Sequence, residues 1–167
     1  MSDIISLYED YVRAWKRGTS IHEGLQDKID AAWNAIKAKY PHVKWNAIGD
    51  EVGAGWWGIL DTLLAELDAI MELHPGYVLT VRQVKEKFGG LRFYYDLWAV
   101  GESHVYNPDR PEDPVKVALG DEIYARVRQA EDKASKTCEW CGEPGKSGGD
   151  GWIKTLCEKH HQLHKRK

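Results

Sequence analysis

All three cysteines of this 167-residue chain lie in its last stretch, "TCEWCGEPGKSGGDGWIKTLCEKHHQLHKRK", Thr137 to Lys167. Cys138 and Cys141 are separated by two residues, and after the fifteen residues 142 to 156 the same spacing recurs in Cys157 and His160. A tight turn brings two ligands so spaced onto one ion, and two such pairs close a tetrahedron. Soft sulfur with one imidazole selects zinc or iron over magnesium or calcium. The pattern therefore predicts one Zn²⁺ held by Cys138, Cys141, Cys157 and His160. His161 and His164 are within reach of the same centre, but Cys-x-x-His best repeats the first pair. Gly142, just after Cys141, suits the turn that such a pair needs. An odd number of clustered cysteines does not make a disulfide framework, and a reducing cytoplasm is the expected setting.

Four protein ligands fill a structural shell, whereas a catalytic zinc keeps a position for water and a general base beside it. The nearby carboxylates, Glu139, Glu143, Asp150 and Glu158, stand beside or between the ligands, where such side chains normally face solvent. A structural ion is expected, and no catalytic residue is assigned. Trp152 and Leu156 are expected to supply a small apolar contact inside this module.

The preceding residues are numerous enough to bury a core without a crosslink. Ile4, Leu7, Tyr8, Tyr11, Val12 and Trp15 recur at helical steps over about 3–16, with Gly18 as the stop. Ser20 and Glu23 form a capping-box pattern ahead of a second helix over about 21–39, ended by Tyr40–Pro41. A strongly apolar helix covers about 56–73. From Tyr77 the sequence turns to β-branched and aromatic residues around Gly89–Gly90, which predicts an antiparallel hairpin over about 78–98. A last helix is expected over about 121–135. The reading is thus α+β: a helical N-terminal half, a β-hairpin, a helix and a zinc-ribbon-like pair of knuckles. It divides into a body, 1–135, and a zinc module, 136–167. No apolar stretch approaches the roughly 20 residues of a membrane span, and Met1 to Asp10 lacks the basic-then-apolar pattern of an export signal.

Two resemblances attach to these motifs. "CEWCG" with "LCEKHHQLHK" resembles the zinc framing of HNH endonucleases, which place a cysteine pair on each side of a ββα-metal core. That core needs a general-base histidine and a second metal-binding histidine or aspartate between the pairs, and "GEPGKSGGDGWIKTL" contains no histidine. The order "VRQVKEKFGGLRFYY", helix, "CEWCGEPG", "GWIKTLC" is similar to a group of proteins from bacteriophages and bacterial genomes, across about Thr80 to His160. This likeness implies a phage or mobile-element setting and carries no activity with it.

Charge and aromatic content bear on partners. The net charge of −3 divides into +3 from Lys136 onward and −6 before it, so the body should not be drawn to phosphate. The basic tail, with Lys154, Lys159, Lys165, Arg166 and Lys167, is the candidate nucleic-acid contact, and a degenerate HNH-like nuclease is the related alternative. Eight tryptophans are many for this length, and neighbours on a helix point about 100° apart. One of Trp56 and Trp57 is therefore expected to face a partner, with Arg82, Lys85 and Arg92 as a contact ridge on the hairpin. The leading expectation is a non-catalytic zinc-stabilised binding module that acts on a host defence or regulatory protein.

Overall fold

The computed structural model describes residues 2–17, 21–46, 50–102, 111–149 and 151–165. Gly18, Ser20, His104, Asp150, Arg166 and Lys167 lie outside them, as do the side chains of His22 and Glu23. Helices α1 (Ser2–Lys16) and α2 (Ile21–Lys37) pack side by side. Two short strands follow, β1 (Val43–Trp45) and β2 (Asp50–Glu51), and then a 3-10 turn, Ala54–Trp56, leads into α3 (Trp57–Leu73). The expected hairpin is β3 (Tyr77–Lys87) and β4 (Gly90–Ala99), and α4 (Pro114–Ala134) runs on to the cysteines.

Strand β3 is central to the larger sheet. It pairs antiparallel with β4 on one edge, and β1 and β2 lie parallel to it along the other, at Val43↔Leu79 and Asp50↔Val84. Helix α3 and the inward face of the sheet supply the core, with Leu60, Leu64, Leu67, Leu79, Val81 and Leu91 fully buried. Helix α4 adds Ile123, also fully buried, and packs along β4. It starts earlier than the periodicity suggested, because Asp113 accepts from the amides of Val115 and Lys116 while Pro114 supplies a preset first turn.

Trp56 and Trp57 are both buried, at 0% and 2% exposure, so the expectation that one faces outward is corrected. Their different directions are each covered by a different element. Trp57 lies on Trp33 of α2, with ring centroids 5.6 Å apart, whereas Trp56 Nε1 donates to the carbonyl of Thr137 at 2.7 Å. The metal module thus takes the place reserved for a partner.

Candidate metal centre

The module is built from a turn, a hairpin and a helix. Cys138 and Cys141 occupy a tight turn closed by Cys138 N–H to Glu143 O at 2.7 Å and Gly142 N–H to Cys138 O at 2.9 Å. Gly142 has φ +81°, the left-handed conformation expected of it. Strands β5 (Lys146–Gly148) and β6 (Lys154–Leu156) form the hairpin, and α5 (Glu158–Lys165) follows. Cys157 immediately precedes α5 and His160 lies in its first turn, so the second pair sits at a helix start rather than in a second knuckle.

Cys138, Cys141, Cys157 and His160 bring their ligand atoms within 4.8 Å of one another and can hold one metal ion. Cys141 and Cys157 sulfurs are 3.8 Å apart. A tetrahedral ion with bonds of about 2.3 Å to sulfur separates its sulfurs by roughly 3.8 Å. His160 turns Nδ1 to the centre, 3.2 Å from Cys138 Sγ and 3.3 Å from Cys157 Sγ. Its Nε2 meets Glu9 Oε1 of α1 at 3.0 Å, the carboxylate–histidine arrangement that fixes ring orientation at metal sites. His161 and His164 instead turn Nε2 to the carbonyls of Lys146 and Trp152, at 2.9 and 3.1 Å.

Burial pushes the Cys138 and Cys141 thiols up, Cys141 to about 12, while backbone amides directed at the sulfurs pull the other way. A cation held between the sulfurs would reverse that balance and favour thiolates. Burial also lowers the His160 pKa against the pull of Glu9, favouring the neutral imidazole that ligation requires.

The surroundings depart from two expectations. Glu139 is not turned to solvent. It is 2% exposed, accepts from Gly53 N–H at 3.2 Å and pairs with Lys154 at 2.7 Å. Trp152 is 67% exposed and leaves the module's apolar contact to Leu156, Cys138, Trp140 and Val12 of α1. The seam with the body is close enough that a β-carbon on Gly55 would lie 2.2 Å from Cys138 O and 2.6 Å from Cys141 N. Glu9 and Gly55 had no sequence signal, and Glu139 none beyond its place beside the ligands, because each makes a contact with residues more than eighty positions away.

The remaining site candidates among the described residues lie outside the Cys₃His cluster. Arg82 is exposed and pairs with Asp96 at 3.2 Å, Lys85 lies over Tyr94, and Lys85 and Arg92 stand opposite each other in the hairpin register. In the tail, Lys154 is held by Glu139 and Glu86, Lys159 pairs with Glu9 at 2.9 Å, and Lys165 is exposed. Two of the five cations offered for nucleic acid are therefore engaged internally.

Fold and site define an α+β protein with a C-terminal Cys₃His cluster that can hold one metal ion. No protein-family model, curated protein or solved structure matches the chain.

Proposed function

We propose that the chain is a non-catalytic protein-binding module, stabilised by one structural Zn²⁺, that acts as an inhibitor or adaptor of a partner protein. The observation that carries this reading is the tip of the β3–β4 hairpin. Phe88 is 73% exposed, with Trp152 at 67% and Ile153 at 39%, and the three border one surface hollow with Glu86 and Lys87. Phe88 also has φ +54°. A bulky residue in that region costs about 1–3 kcal/mol, and an exposed ring recovers little of it by burial. Strain that keeps an aromatic side chain outward fits recognition, because interface hot spots are enriched in such groups.

Zinc is the ion favoured by three thiolates and one imidazole with no position left for water, and such a shell stabilises rather than catalyses. Element analysis of protein purified without added metal should give one equivalent of zinc. Less than half an equivalent, with all three thiols readily alkylated, would sink this assignment.

The phage or mobile-element setting implied by the sequence pattern makes a bacterial host lysate the place to look for the partner. A protein retained by the wild type and lost by both Phe88→Ser and Trp152→Ala supports the reading. Equal retention by all three moves the interface elsewhere, with the ridge of Arg82, Lys85 and Arg92 next. Retention on DNA that falls steeply with salt would favour the nucleic-acid alternative through Lys165, Arg166 and Lys167.

A further inference from the structure

Where α1, α2, the start of α3 and the C-terminal module meet, they form a half-open cavity of about 420 Å³, within the 300–1,000 Å³ of typical ligand sites. Five of the eight tryptophans line it: Trp15, Trp33, Trp57, Trp140 and Trp152. Two further features define what such aromatic walls would accept.

The first is charge. Glu86 and Glu139 line the cavity with side chains only 7% and 3% exposed. Both lean on a single ammonium, Lys154, at 3.5 and 2.7 Å. Asp30 adds a third carboxylate, and among the described residues Lys154 is the only cation lining the cavity. Buried carboxylates sharing one counter-ion favour the entry of a second cation. The second feature is the indole of Trp57. The residue is 2% exposed, and its Nε1–H, itself shielded from solvent, has no acceptor among the described residues. A buried donor left unmatched is destabilising, and a ligand oxygen would satisfy it.

We infer that this cavity binds an arginine side chain presented on a peptide. A guanidinium is planar, stacks on aromatic faces and carries five donors for the carboxylates. The peptide carbonyl beside it provides the acceptor that Trp57 lacks. An anion meets repulsion here, and a neutral apolar group satisfies neither the carboxylates nor the indole. Glu86 and Trp152 border both the cavity and the exposed hairpin tip. The inference therefore deepens the protein-binding reading and rests on it for the source of the peptide.

The test is a titration of the full, metal-loaded chain with N-acetyl-arginine amide, followed by tryptophan fluorescence. Its neutral isostere, N-acetyl-citrulline amide, and agmatine, which lacks the carbonyl, are titrated in parallel. Saturable binding of the arginine amide is expected, at least about tenfold tighter than the citrulline compound, since charge-assisted hydrogen bonds are lost in the latter. Trp15→Ala should weaken it about fivefold or more without lowering the melting temperature, because Trp15 is 62% exposed and the fold does not lean on it. Glu86→Gln should do the same, and Trp15→Ala keeps the test valid if Glu86→Gln disturbs the hairpin turn. No saturable signal, or equal binding of the citrulline amide, overturns the inference. Agmatine binding as tightly as the amide overturns the peptide source. Arginine binding with no host protein captured would fault the partner reading alone, whereas capture without arginine binding would fault only the cavity.

Discussion

In the body, Leu60, Leu64, Leu67, Leu79, Val84 and Ile123 are all fully buried and belong to one continuous cluster between α3, α4 and the sheet. The metal module has a cluster of only Val12, Cys138, Trp140 and Leu156, and one of these, Val12, comes from α1. Each fully buried aliphatic side chain contributes about 1.5–3 kcal/mol, so the body carries its own driving force and the module does not. The module is held instead by polar ties to distant parts of the chain, around the four side chains that can take one ion. Lys16 Nζ donates to the last carbonyls of α5, Leu163 and His164, at 2.6 and 2.8 Å, and Glu9 holds both His160 and Lys159. These ties make α1 a neighbour of the Cys₃His cluster as much as of α2.

The strongest way to break the comparison is to remove the ion proposed for the cluster. Structural zinc contributes about 10–16 kcal/mol to the folding of isolated fingers, more than any single side chain here can supply. Cys138→Ser, or strong chelation, should release the module and α1 together. Hydrogen exchange should show lost protection over 138–165 and 2–16, with α3 and α4 still protected. Protection of α1 left intact would show that packing on α2 suffices for it. Collapse of α3 and α4 as well would show that the body has no core of its own.

The adjacent indoles sharpen the same contrast at the next level of effect. Trp56→Ala and Trp57→Ala should each lower stability by about 3–5 kcal/mol, as large core truncations do. Trp56 hydrogen-bonds the module directly, through Thr137 O, so its loss should weaken metal retention more than that of Trp57 in a chelator competition. Equal loss of metal in both variants would mean that the module senses the stability of the body as a whole.

A smaller effect is expected where α1 touches the metal shell. Glu9→Ala removes the acceptor from His160 Nε2 and should reduce metal affinity about 10- to 100-fold, the usual effect of losing such a partner. The body core should keep its stability. Unchanged affinity would place the link between α1 and the module in Val12 and Lys16 instead.

What the sequence disclosed follows from how local each signal is. The four ligands were legible because their spacing is itself the geometry, and the hairpin because Gly89–Gly90 interrupts a β-rich run. Helices α1 to α3 were legible from their apolar period. Helix α5 was hidden because "EKHHQLHK" has almost no apolar stripe and takes its place from the metal ligands and Lys16. Strands β1 and β2, at three and two residues, pair with β3 far along the chain and carry no period of their own. The burial of both Trp56 and Trp57 escaped for a related reason: helical geometry told that they diverge, but only the tertiary fold supplies a second surface to cover the second ring.

Acid offers the finest distinction between the two regions. In the module, low pH would act through protonation of the four candidate ligands and release of the proposed ion. In the body it acts through contacts such as Asp61 on α3, which accepts from Tyr40 at 2.7 Å and Lys39 at 3.0 Å at the end of α2. Burial alone would raise the Asp61 pKa, but these two donors and the lysine charge hold it below the usual carboxylate value. A carboxyl with a lowered folded-state pKa adds stability that is fully present above its unfolded pKa and is lost as pH falls through the folded one. Asp61→Asn should therefore reduce stability near neutrality by about 0–1 kcal/mol, the range for partly exposed pairs, and flatten the acid limb of the body's unfolding curve. Denaturant titrations across pH in the Cys138→Ser background isolate this limb from metal release. An acid limb unchanged by Asp61→Asn would assign the body's acid sensitivity to other carboxylates, with Asp113, whose pKa is also lowered by its hydrogen bond from Tyr77, next to be tested.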